Sequence, residues 1–121
     1  MRGIVLFAHG AKDPEWARPF HEICNRVRSN RPEYPIAVAF LESMSPTLEE
    51  AIDSLANEGA TAITVFPLFM AQGGHLKQDL PRILTEVRAA HPHVPICQES
   101  SIGDVPEIVQ AISRWILERS G

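Results

Sequence analysis

Four continuous apolar runs alternate along this chain with four stretches whose apolar residues recur at helical spacing. The runs are Ile4–Ala8, Ile36–Leu41, Thr61–Phe69 and Val94–Cys97. A short apolar run without polar alternation marks a strand covered on both faces, as in a parallel sheet. After the first run, Asp13-Pro14-Glu15 reads as a helix start, with an N-cap, a proline at the first position and an acid in the first turn. Trp16, Phe20, Ile23, Cys24 and Val27 then share one face, and Pro19 predicts a kink or a split there. Ser45-Pro46, with Glu49 and Glu50, opens a second helix whose face is Leu48, Ala51, Ile52 and Leu55, and Gly59 stops it. A third helix follows Gly73-Gly74, with Leu80, Ile83, Leu84 and Val87 on one side. Asp104 and Glu107 pattern as a capping box for a fourth, with Ile108, Val109, Ile112 and Ile116 facing inward. Pro95 places the weak last strand at an edge, because proline cannot donate to a ladder.

The order β-α-β-α-β-α-β-α implies an α/β fold: a three-layer, doubly wound, four-stranded parallel sheet of order 2-1-3-4 with helices on both faces. All 121 residues fit one domain, 1–121, with no linker or repeat. A composition of 45% hydrophobic and 21% charged residues is that of an ordinary globular chain. The net charge of −4 argues against a nucleic-acid partner, which calls for a basic excess. No apolar run approaches the roughly 20 residues of a membrane span, and the strand pattern at Gly3 leaves no room for a leader. Cys24 and Cys97 lack C-x-x-C spacing and read as reduced core cysteines, so a cytoplasmic protein is expected.

The chemistry-bearing residues fall at strand ends. His9 closes the first strand, Glu42 closes the second, and His75 follows the third across Gly73-Gly74. With order 2-1-3-4 those strands are neighbours, so two imidazoles and a carboxylate share the carboxyl rim, where open α/β sheets put their ligands. That set can hold a divalent first-row metal and can equally move protons. Glycine at 10, 73 and 74 permits turns or a close backbone approach to a ligand. Lys12 and Lys77, with Arg82 further on, suit an anionic ligand near the amino end of the third helix. His21, His91 and His93 read as structural or solvated. No G-x-G-x-x-G or G-K-[ST] motif appears, so no nucleotide and no organic cofactor is expected.

Taken together, His9-Gly10 with Asp13-Pro14, Phe40-Leu41-Glu42 with Ser45-Pro46, Pro67-Leu68-Phe69, and Gly73-Gly74-His75-Leu76-Lys77-Gln78-Asp79-Leu80-Pro81 resemble the short sirohydrochlorin chelatases of the CbiX type, relatives of the class II chelatases. The resemblance implies insertion of Co2+ or Fe2+, with Ni2+ a further candidate, into the tetrapyrrole sirohydrochlorin on the way to cobalamin or sirohaem. It implies that His9, Glu42 and His75 are the metal and catalytic residues. It implies a homodimer whose two rims face a shared cavity, and we expect the helix after His75, with Leu76 and Leu80, to form part of the contact. Where the family has Ser-Arg after His-Gly, this chain has Ala11-Lys12, which keeps a charge but loses the bidentate fork of arginine. Two other readings remain open on the residues alone: a carrier of metal or tetrapyrrole on the same fold, and a histidine phosphotransfer enzyme built on His9-Gly10. The second normally has an arginine before the histidine, where this chain has Ala8.

Overall fold

A computed structural model describes residues Met1–Gly121. The strands are β1 (Arg2–Ala8), β2 (Ile36–Phe40), β3 (Ala62–Pro67) and β4 (Ile96–Gln98). They are parallel and lie in the order β2-β1-β3-β4, as the pattern predicts. The helices are α1 (Arg18–Asn30), α2 (Leu48–Asn57), α3 (Gly74–Ala90) and α4 (Pro106–Arg119). Two short 3-10 turns, Pro14–Ala17 and Ile102–Asp104, precede α1 and α4.

Strand alternation divides the core between the two faces of the sheet. Val5, Phe7, Ile63, Val65 and Ile96 point to one face, where Ile52 and Leu55 of α2 and Leu80, Leu84 and Val87 of α3 bury them. Leu6, Ala8, Val38 and Phe40 point to the other, under Ala17 and Cys24. Burying each large side chain contributes about 1.5–3 kcal/mol, so the first and larger cluster dominates the stability.

Several helix boundaries shift for local reasons. Pro19 does split the first helix: the 3-10 turn capped by Asp13 ends at Ala17, and α1 starts with Pro19 in its first turn, where a missing N–H costs nothing. Helix α2 starts later than Ser45-Pro46. Thr47 is its N-cap, and the Thr47 hydroxyl and the Glu50 carboxylate each accept from the other's backbone N–H. The Asp104–Glu107 capping box does not form. Asp104 ends the 3-10 turn, and Val105, without a side-chain cap, precedes α4.

Three burial expectations also change. Cys24 is buried but Cys97 is exposed, because β4 is a three-residue edge strand. Leu76 and Leu80 lie in the chain's own core, so they are not available to a dimer contact. The inward face expected for α4 is left largely uncovered: no residue of that helix is buried, and only Ile108 is partly so. His91, expected in a polar loop, caps the end of α3 and pairs through Nε2 with Asp53 of α2.

Candidate functional site

Hydrogen bonds between chain segments just beyond the strands fix the rim. Leu41 N donates to the Ala8 carbonyl at 2.9 Å, Glu42 N to the His9 carbonyl at 3.1 Å, and Leu68 N to the Phe7 carbonyl at 2.8 Å. The sheet register is thus carried into the loops, and His9 and Glu42 emerge side by side. Gly10 completes this arrangement. Its φ is +96°, and a Cβ there would overlap the Glu42 carbonyl oxygen, so only glycine lets the two segments run this close.

His9 Nε2 lies 3.1 Å from Glu42 Oε1, and both side chains are more than half exposed. The other ring nitrogen, Nδ1, lies 3.2 Å from the Gly10 carbonyl oxygen. Both ring nitrogens therefore face oxygen acceptors, while a neutral imidazole supplies a single N–H. Satisfying both takes either a second proton or a cation between Nε2 and the carboxylate, with Nδ1–H held on Gly10. A backbone carbonyl on one ring nitrogen is how metal-binding histidines are oriented.

These two residues open onto a cleft of about 560 Å3. Gly73, Gly74 and His75 line it from the start of α3, while Phe69, Leu76 and Ile83 supply apolar wall. Gly73 and Gly74 adopt no positive φ and have nothing within 4 Å of the position a Cβ would take. What they leave is open space at the cleft, not an unusual backbone turn. His75 shares the cleft but stands apart from the His9–Glu42 pair. No group of three His, Cys, Asp or Glu side chains is close enough to hold a metal ion in this conformation.

The cations distribute differently from the sequence expectation. Arg82 lines the cleft, held at 3.4 Å by Asp79 and at 3.4 Å by Glu86. Lys12 and Lys77 are exposed and are not among the lining residues, and Gly10 is buried beneath the rim. Asp79, which pattern reasoning does not single out, also lines the cleft. The signal lay in the i, i+4, i+7 spacing of His75, Asp79 and Arg82, which puts all three on one helix face.

The base of this wall is pinned to the end of the chain. Gln72 Nε2 donates to the buried Ser101 hydroxyl at 2.7 Å, and Gly103 N to the Phe69 carbonyl at 3.2 Å. A Cβ at Gly103 would overlap the Met70 carbonyl oxygen. The β3–α3 loop that leads into His75 is therefore fixed against the loop that leads into α4.

Known proteins resemble this chain over nearly its whole length. The CbiX family model matches residues 3–119. A sirohydrochlorin cobaltochelatase of Methanosarcina acetivorans is 35% identical over 123 aligned positions, which cover 96% of this chain and 95% of that protein. The crystal structure of a putative cobalamin (vitamin B12) biosynthesis CbiX protein from Marinobacter aquaeolei VT8 superposes with a TM-score of 0.84 at 29% identity, covering 98% of this chain and 93% of that one. SirB from Bacillus subtilis with Fe3+ has the same fold, with a TM-score of 0.82 at 24% identity, over 99% of this chain but 48% of its own.

Proposed function

The chain belongs to the CbiX family, and from that premise we propose that it is a sirohydrochlorin metallochelatase, a lyase-class enzyme that inserts Co2+ or Fe2+ into the macrocycle. The observation that carries this reading is the His9–Glu42 pair at 3.1 Å, opening onto a cleft that His75 also lines. Metallation exchanges two pyrrole protons for one divalent ion. The site must therefore deliver a metal and accept two protons, with no oxidation or reduction.

The metal is a substrate, and His9 and Glu42 are its first docking pair. Their contact already presents an imidazole nitrogen and a carboxylate oxygen to one cation. His75, on the α3 side of the cleft, supplies a third donor once metal and macrocycle enter. Imidazole and carboxylate hold such an ion less firmly than a thiolate cage, which suits a metal that must leave. An imidazole freed as the metal leaves is a base placed to take up one of the pyrrole protons. The apolar wall of Phe69, Leu76 and Ile83 receives the face of the macrocycle. Arg82 meets one of its carboxylates, and Lys12 and Lys77 supply a more distant positive field.

The working unit is a homodimer in the cytoplasm. A single open cleft does not enclose a macrocycle, and the SirB fold match covers only about half of that longer chain. Both cysteines are unpaired, in keeping with a reducing compartment. The product serves cobalamin or sirohaem synthesis, according to the metal inserted.

Anaerobic incubation with sirohydrochlorin and Co2+ or Fe2+, followed by absorbance, tests the activity. Turnover well beyond one equivalent is expected. Stoichiometric uptake without turnover would make the protein a carrier instead.

A further inference from the structure

The two histidines of the cleft are not equally prepared. His9 has Nδ1 on the Gly10 carbonyl at 3.2 Å and Nε2 at 3.1 Å from Glu42. The exposed His75 ring has no hydrogen bond or ion pair within the chain. A histidine that binds a metal through one ring nitrogen is oriented by an acceptor on the other, and has no fixed aim without it.

An acceptor stands one turn away. Asp79 lines the same cleft on the same face of α3, and side chains at i and i+4 start about 5–6 Å apart at Cβ. The Asp79 carboxylate is turned to Arg82 instead, with Oδ1 3.4 Å from Nη2. Arg82 is shared, its Nη1 lying 3.4 Å from Glu86 Oε1. Both contacts are longer than the roughly 2.7–2.9 Å of a closed charge-assisted bond. All three side chains are at least 40% exposed, so neither contact holds strongly. Glu86 lines a separate, smaller hollow with Leu48 and Glu49, so it keeps its edge of the guanidinium whatever enters the cleft. Pro81 sits between Asp79 and Arg82 and has no N–H for the Lys77 carbonyl, which leaves this turn of α3 less tightly bonded.

We propose that Asp79 is the positioning residue of His75, and that Arg82 withholds it until a carboxylate of the macrocycle takes its place. The proposal rests on the chelatase reading and says how seating the macrocycle completes the metal site. A macrocycle carboxylate entering the cleft meets the edge of Arg82 that Asp79 occupies. The two anions compete for that edge, and Asp79, displaced, turns to His75 and accepts its ring N–H. The other ring nitrogen then faces the metal. Only ion partners are exchanged, and no covalent bond forms or breaks. A metal docked on His9 and Glu42 thus gains its third donor when its acceptor is present, in accord with the unassembled donor set of this conformation.

Nitrogen NMR of histidine-labelled protein at pH ~8, where free imidazole is neutral, reads the His75 ring directly, and His75→Ala assigns its signals. Arg82→Ala should hold the ring in one tautomer without any macrocycle, because Asp79 is then free. Metal-free sirohydrochlorin should do the same to the wild type. Arg82→Ala combined with Asp79→Ala should return the ring to the exchanging mixture of the wild type alone. In turnover, Asp79→Ala should lower kcat by roughly 10–100-fold with KM for the macrocycle unchanged, the reverse of the Arg82→Ala effect. Asp79→Asn, whose amide oxygen still accepts, should recover most of that loss. A His75 ring indifferent to Arg82→Ala, or an Asp79→Ala variant with wild-type kcat, would overturn the proposal. A wild type that shows the ring change but no turnover would count against the chelatase reading alone and leave the role of Asp79 standing.

Discussion

His9 and Glu42 meet twice: the Glu42 backbone N–H donates to the His9 carbonyl at 3.1 Å, and Glu42 Oε1 lies 3.1 Å from His9 Nε2. The first contact extends the β1–β2 register by one step, and the second follows from it. Pairing of the two side chains is thus a consequence of sheet pairing, so the fold itself holds the imidazole and the carboxylate side by side.

His9→Ala and His75→Ala should each abolish metal insertion while leaving the fold unchanged. Both side chains are exposed, and surface truncations of this kind stay within about 0.5 kcal/mol in stability. Glu42→Gln should be milder, since the amide oxygen still coordinates. Turnover by absorbance and urea midpoints check this; near-normal turnover in either histidine variant would remove that residue from the site.

Gly10→Ala should both destabilise the chain and reduce turnover. A Cβ would strike the Glu42 carbonyl, and the positive φ adds strain, together about 1–3 kcal/mol. Relief requires Glu42 to move away from His9. A urea midpoint equal to that of wild type would show that the two segments separate easily.

Arg82→Ala should raise KM for the polycarboxylate macrocycle by roughly fivefold, about 1 kcal/mol for an exposed charge contact. Lys12→Ala and Lys77→Ala should give smaller effects, since neither lines the cleft. All three effects should shrink with added salt, which screens exposed charges within ~8 Å at physiological strength. An unchanged KM for Arg82→Ala at low salt would take the guanidinium out of substrate binding.

Burial pushes the Cys24 thiol above its ordinary pKa of 9.0, while Arg28 opposes part of the shift. The unfolded chain loses that proton first, so stability is fully present below pH 9 and falls as pH rises through the folded value. Cys24→Ala should flatten this alkaline loss. Urea midpoints across pH 8 to 10.5 would show it, and parallel curves for the two proteins would assign the loss to other groups.

Ser101→Ala should loosen the wall that bears His75. The variant leaves Gln72 Nε2 without its partner, at a net cost of about 1 kcal/mol. Amide exchange should quicken in Phe69–Gly74 more than in β1 and β2. Uniform acceleration would mean that the bond supports the whole fold and not this loop.

Much of this molecule follows from patterns a few residues long. Ile4–Ala8 and its counterparts specify buried strands, because continuous apolar character is a property of the segment itself. Leu48, Ala51, Ile52 and Leu55 specify the buried side of α2 in the same way. Since parallel strands separated by helices admit few orders, the rim bearing His9, Glu42 and His75 could be reached from the sequence. Thr47 was missed as a cap because Ser45-Pro46 offers an equally good local signal, and only the chain's path after Glu42 chose between them.

Contacts between distant segments were decided by the tertiary structure alone. The pattern Ile108, Val109, Ile112, Ile116 says that α4 has an apolar side, but amphipathicity does not say whose surface that side will cover. Leu76 and Leu80 carry an equivalent pattern and fall in the chain's own core, whereas α4 has no buried residue. Likewise Lys12, Lys77 and Arg82 are interchangeable as charges in a string of letters. Arg82 alone lines the cleft, because it lies two turns beyond His75 on the face that α3 turns toward the rim. Periodicity fixes a direction around one helix axis; which neighbour waits in that direction depends on how all the helices pack at once.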